Sequence, residues 1–253
     1  MRILLTNDDG IEAPGLVALE AIARELSDDV WVVAPAEEQS GTGHSLTLTA
    51  PIRLRKLGEK RFAVRGTPTD SVMMAIGHVM KDHRPDLLLS GVNRGPNMAE
   101  DVTYSGTVSA AMEGCLAGIR SIALSQAMGD YTVGNEDFAP SIKHGAEIVR
   151  RLGGTDWPAG VLMNVNFPAG TVKGVRVAEQ GFRDYGNINI VGRTDPRGFP
   201  YFWFGYGREV ETPRHATDLE AVRGGWVSVT PLHLDLTHYP TMASLREAMA
   251  GLE

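Results

Sequence analysis

Two aspartates stand side by side near the start of this chain, Asp8 and Asp9 of "MRILLTNDDG", directly after an apolar run. Adjacent carboxylates repel and burial raises the pKa of each, so the pair is costly at the mouth of a buried strand unless a cation offsets it. Three more polar clusters carry residues that could act with them: "EEQSGTGHS" (37–45), "SGVNRGPN" (90–97) and "DVTYSGT" (101–107). Carboxylates, serine hydroxyls and asparagine carbonyls are oxygen donors, the set that suits Mg²⁺, Mn²⁺ or Ca²⁺ rather than zinc. Ser105, Gly106 and Thr107 open a helix-like stretch. Backbone N–H groups, two hydroxyls and the positive end of the helix dipole there would favour an anion. A cation beside an anion pocket suits phosphate-ester chemistry.

The elements that must position these clusters are legible from periodicity. Strand-like runs recur at "RILLT" (2–6), "VWVVAP" (30–35), "DLLLSG" (86–91) and "SIALS" (121–125). Helix-period segments lie between them. Leu16, Leu19, Ile22, Ala23 and Leu26 mark one helix face. Thr67 and Pro68 read as N-cap and first helical residue before Val72, Met73, Ile76, Val79 and Met80. A third helix spans about Thr107 to Ala117 with Gly118 as its stop, and a fourth runs from Phe138 to Leu152. Buried strands alternating with amphipathic helices predict an α/β fold, a Rossmann-like, mostly parallel sheet flanked by helices. In such sheets ligands bind beyond the C-terminal strand ends, and each polar cluster lies at such an end.

The second half reads differently. "GVLMNVNFP" (160–168) still resembles a buried strand, but "GVRVAEQG", "FPYFWFGYG" and "GGWVSVTPL" look like hairpins. A Rossmann-like core over about 1–185 and a β-rich C-terminal arm over about 186–253 are therefore expected within one domain. A weak helical pattern covers Met242 to Leu252. Trp157, Trp203 and Trp226, three of the four tryptophans, fall here; core packing and an oligomer interface both account for them. In 199–207, Tyr201 and Trp203 point one way along a strand and Phe202 and Phe204 the other. One face is expected on the parent domain, and the other needs a partner.

Composition excludes several classes. A net charge of −7 over 253 residues argues against a nucleic-acid polymer as partner. No run approaches the roughly 20 apolar residues of a membrane helix. The apolar stretch before Asn7 is too short for a secretory signal. Cys115 is the only cysteine, so no internal disulfide or cysteine zinc site forms, and a reducing cytoplasm is expected. It lies on an apolar helix face as packing.

Each cluster alone has a plainer explanation: Asp8–Gly10 as a turn, Ser105 and Thr107 as helix caps. Four such loops at one sheet edge favour a site. The blocks "ILLTNDDG", "SGTGHSLTLT", "GTPTDSV", "SGVNRGPN", "DVTYSGTVSAAMEG", "DPRG" and "VTPLHLDLT" resemble, in order and spacing, the SurE family of stationary-phase survival protein E nucleotidases. The resemblance spans Met1 to about Thr237. It implies a cytoplasmic 5′-nucleotidase with one divalent cation per subunit, Mg²⁺ or Mn²⁺, acting on nucleoside monophosphates and in some members on short polyphosphate. It also implies a homodimer or homotetramer held by exchanged C-terminal arms. By the same resemblance Asp8, Asp9, Ser40 and Asn93 are metal ligands, and Asn97, Ser105, Gly106 and Thr107 touch phosphate. Ala99 departs from the family's usual glycine, and "GTGH" (41–44) from its usual run.

Rival chemistries fit less well. A phosphatase forming an aspartyl-phosphate uses D-x-D, and here the second position is Gly10. A non-catalytic nucleotide-binding module would show G-x-G-x-x-G after the first strand, and a serine hydrolase G-x-S-x-G. Neither is present. Hydrolysis by metal-activated water is the expected reaction.

Overall fold

The computed structural model describes the chain except residues 130–133, 135, 185–187, 207–209, 212–215 and 253. β1 (Arg2–Thr6) lies inside a nine-stranded sheet and is buried from Ile3 onward. α1 (Pro14–Arg24) follows and returns the chain to β2 (Asp29–Pro35), parallel to β1. The hairpin β3 (Arg53–Gly58) and β4 (Arg61–Arg65) extends that side of the sheet. α2 (Pro68–Met74) starts on a Thr67 capping box, runs into a π-helical turn (Ala75–Val79) and leads to β5 (Leu87–Arg94) on the opposite side of β1. A 3₁₀ turn (Ala99–Thr103), α3 (Gly106–Leu116), β6 (Arg120–Gln126), α4 (Ala139–Gly153) and β7 (Val161–Phe167) complete the parallel run.

The remainder holds β8 (Val175–Val177), β9 (Arg183–Asp184), β10 (Ile188–Thr194), β11 (Pro200–Tyr206), β12 (Val210–Glu211), α5 (Asp218–Arg223), β13 (Val227–His233) and α6 (Tyr239–Ala248). The main sheet has the order β3-β4-β2-β1-β5-β6-β7-β13-β8. β13 pairs antiparallel with β7 and parallel with β8. "GGWVSVTPL" is thus a strand of the main sheet and not a hairpin, and the sheet does not end near 185. Among the described residues only β10–β11 and the short β9–β12 pair stand outside it. The expected boundary near 185 and Gly207 of the aromatic run fall outside the described residues.

Two cores hold the layers. α1 and α4 bury Leu16, Leu19, Ile22, Ile148 and Val149 on one sheet face, against Ile3, Leu5, Leu89 and Leu124. α2 and α3 bury Val72, Val108, Ala111 and Cys115 on the other, against Leu4, Val33 and Leu88. Each large aliphatic side chain so buried contributes about 1.5–3 kcal/mol. The tryptophans divide: Trp157 is in the core, Trp203 is exposed, and Trp226 carries the Arg176 guanidinium 4.1 Å from its ring centre.

The aromatic strand β11 departs from expectation. Phe199, Tyr201, Phe202, Trp203 and Phe204 are all exposed, Phe204 by 85%. Among the described residues, neither face packs on the parent domain.

Candidate active site

β1 has β2 on one side and β5 on the other, so the chain switches direction across the sheet at that point. Loops leaving strands on either side of such a switch diverge, and a cleft opens between them. Here the cleft is about 220 Å³. Asp8, Asp9, Ser40, Asn93, Asn97 and Ser105 all line it, with Arg94, Asp101 and Tyr104. Six of the eight residues expected from sequence therefore share one cavity, and the other two lie directly behind it.

Each side chain is held by its own neighbours. Asn7 Nδ2 donates to Gly10 O at 2.8 Å, and Gly10 takes φ 103°, where a side chain would be strained. That turn bends the chain out of β1 and presents both aspartates. Asp8 is buried and accepts a short hydrogen bond from Thr107 Oγ1. Asp9 Oδ2 accepts from the Arg94 backbone N–H at 3.1 Å. The Gln39 N–H donates to Asp8 O at 2.8 Å, tying the Ser40 loop to the pair. Ser40 Oγ donates to Glu38 Oε1 at 2.8 Å, so its lone pairs stay available. Asn93 Nδ2 donates to Gly95 O at 2.8 Å, leaving the amide oxygen as its acceptor in the cleft.

The anion side is the start of α3. Ser105 is the N-cap and accepts from the Val108 N–H at 3.1 Å. Both explanations of Ser105 hold together: it caps the helix and faces the cleft. The Thr107 side chain is fully buried and bonds Asp8 rather than reaching the cleft, which leaves its backbone N–H as the group at the helix end. A Cβ on Gly106 would lie 2.7 Å from Asp8 Cβ and 3.0 Å from Pro68 Cγ. Only glycine lets the helix end approach Asp8 this closely. Gly106→Ala should therefore displace Asp8, lowering both melting temperature and turnover; calorimetry and a phosphate-release assay on the same preparation check this.

The electrostatics match a cation site. Burial first, and Asp9 second, push Asp8 up to about 7. Burial also raises Asp9, against the opposing pull of the Arg94 N–H and guanidinium. Two carboxylates driven toward neutrality, with a serine hydroxyl and an amide oxygen beside them, fit a divalent ion that takes oxygen ligands. Among the described residues no three His, Cys, Asp or Glu side chains gather as a metal cluster. Neutral oxygens from Ser40 and Asn93 would complete the set.

Sequence reasoning passed over two buried side chains that bond the Asn97 backbone. Asn164 and Asn166 sit two apart on β7, fully buried, on the face opposite Met163, Val165 and Phe167. The alternation N-x-N inside an otherwise apolar strand was the available signal. Ala99 adopts φ 52° and is fully buried, its N–H donating to Asp218 Oδ2 at 2.9 Å.

The fold and cleft define an α/β protein with an acidic, oxygen-rich site at the switch point of a mostly parallel sheet. The family model of Survival protein SurE matches residues 3–187. The chain belongs to the SurE family. It is 60% identical over 248 residues to the 5′-nucleotidase SurE of Rhizorhabdus wittichii, covering 96% of this chain and 98% of that one. It is 55% identical over 253 residues to the protein of the same name from Methylobacterium radiotolerans, covering 99% and 100%. The crystal structure of the SurE protein from Aquifex aeolicus superposes with a TM-score of 0.84 at 41% identity, over 98% of this chain and 99% of that one. Among the described residues no helix is long and apolar enough to cross a membrane.

Proposed function

We infer that this chain is a divalent-metal-dependent 5′-nucleotidase, releasing phosphate from nucleoside 5′-monophosphates. The observation that carries this is the convergence of Asp8, Asp9, Ser40 and Asn93 in one cleft whose wall continues into the N-terminus of α3. The relatives named 5′-nucleotidase SurE support it. Those four residues would hold Mg²⁺ or Mn²⁺, which would supply Lewis acidity to water and to the phosphoryl oxygens. Asp8 and Asp9 provide the charge that holds the ion, and Thr107 fixes the Asp8 carboxylate. Asn97, Ser105 and the backbone N–H groups of Gly106 and Thr107 bind the phosphoryl group and orient it. Buried donors aimed at developing negative charge act there without reorganising. Short polyphosphate presents the same terminal phosphoryl group to the same donors.

Ser105 separates this mechanism from a covalent one. Its hydroxyl accepts from the Val108 N–H, and among the described residues no imidazole or carboxylate is bonded to it. As a phosphate ligand it accounts for about 2–4 kcal/mol of transition-state stabilisation. Ser105→Ala should thus reduce turnover without abolishing it, and cost about 1 kcal/mol of stability through the lost cap. Phosphoserine found by mass spectrometry after acid quench would overturn the mechanism.

The exposed β10–β11 hairpin supports assembly into a homodimer or homotetramer, because its aromatic faces find no cover among the described residues. The single buried thiol of Cys115 suits a cytoplasmic protein.

A further inference from the structure

Burying polar side chains is costly unless each finds a partner, so the two asparagines on β7 need one. Their partner is the loop after β5. That loop passes over the C-terminal ends of β6 and β7 and carries Asn97. Asn166 Oδ1 accepts the Asn97 N–H at 2.7 Å, and Asn166 Nδ2 donates to Asn97 O at 3.2 Å. One side-chain amide thereby satisfies both backbone groups of Asn97, as a neighbouring strand would. Asn164 Nδ2 donates to the same carbonyl at 2.7 Å. The Asn97 side chain has a separate anchor: its Nδ2 donates to Ser125 Oγ, at the end of β6, at 2.9 Å. An amide nitrogen carries two hydrogens, and Ser125 takes one. The other is left for the cleft that Asn97 lines.

Building on the reading of Asn97 as a phosphate contact, we propose that Asn166 and Ser125 are positioning residues for phosphoryl binding. Asn166 fixes where the Asn97 peptide lies, and Ser125 fixes which way its amide hydrogen points. Neither touches substrate. Both work from rigid, fully buried strands, so the aim of Asn97 does not depend on the loop alone.

The test is a set of variants, Asn166→Leu, Ser125→Ala and Asn97→Ala, with each of the first two also combined with the third. Steady-state kinetics on a nucleoside monophosphate and inhibition by inorganic phosphate are measured in the metal-loaded protein. Each single variant should lower kcat/KM and weaken phosphate inhibition by about 10- to 100-fold, the loss of one hydrogen bond to a charged group. The double variants should fall no further than Asn97→Ala, because a positioning residue has nothing left to position. A merely structural role would instead give multiplicative losses, and that result overturns the proposal. So do parent-like Asn166→Leu and Ser125→Ala proteins beside an impaired Asn97→Ala. A parent-like Asn97→Ala protein overturns the phosphate reading of Asn97 itself, and this inference with it. Should Asn166→Leu not fold, Ser125→Ala leaves the backbone clamp intact and decides the matter.

Discussion

Asp8→Asn or Asp9→Asn should each lower phosphate release by about a thousandfold or more, on the order of 4 kcal/mol, with the fold retained. Either change removes half of the fixed charge that holds the cation. The shape is nearly preserved, and an amide oxygen at position 8 still accepts from Thr107 Oγ1. Stability should move the opposite way in metal-free buffer. The Asp8 carboxyl titrates near 7 in the folded protein against 3.8 as its ordinary value. The folded state therefore binds that proton more tightly than the unfolded state, and stability falls as pH rises from about 4 to about 7. Asp8→Asn does not titrate, so its melting temperature should exceed the parent's increasingly across that range. Added Mg²⁺ or Mn²⁺ should raise the parent's melting temperature and leave the variant's almost unchanged. Melting curves at pH 5 and pH 8, with and without metal, check every sign.

The second large effect concerns assembly. Replacing Phe202, Trp203 and Phe204 with serine should leave a folded subunit with an intact cleft and reduce its mass in solution to that of a monomer. The hairpin pairs Ile188–Thr194 with Pro200–Tyr206 and lies outside the main sheet. Phe202, Trp203 and Phe204 are 65%, 63% and 85% exposed, an apolar surface that soluble monomers seldom leave open. Substitution is the appropriate test, because truncation near Gly192 would also remove β13, which pairs with β7 and β8 inside the main sheet. Light scattering decides it: a variant that keeps the parent's oligomeric mass shows that these aromatics do not hold subunits together.

The parallel core was legible because its signals are local. "RILLT" and "DLLLSG" are continuous apolar runs, and Thr67-Pro68 and Ser105 announce helix starts through capping chemistry. The site was legible for a related reason. Polar residues directly after buried strands must fall on one rim, and six of the eight line one cleft. What escaped depends on distant pairing. β3, "RLRKLG", is half charged and is an edge strand facing solvent, so no apolar pattern marks it. β13 looks like a hairpin strand in sequence, and only its pairing with β7 places it in the core sheet. The alternation in 199–204 suggested one packed face, yet exposure of both faces depends on what the rest of the chain offers the hairpin. Asn164 and Asn166 are likewise intelligible only once Asn97, nearly seventy residues earlier, is seen against them.

Phosphate release from a nucleoside 5′-monophosphate, measured while Mg²⁺ or Mn²⁺ is titrated into chelator-stripped protein, is the most direct test of the metal site. Activity should be absent in excess chelator and return along a saturable curve with one cation per subunit. The Asp8→Asn protein should show no return over the same range. Full turnover in excess chelator, or no phosphate released at any metal concentration, would contradict a divalent-metal nucleotidase built on Asp8 and Asp9.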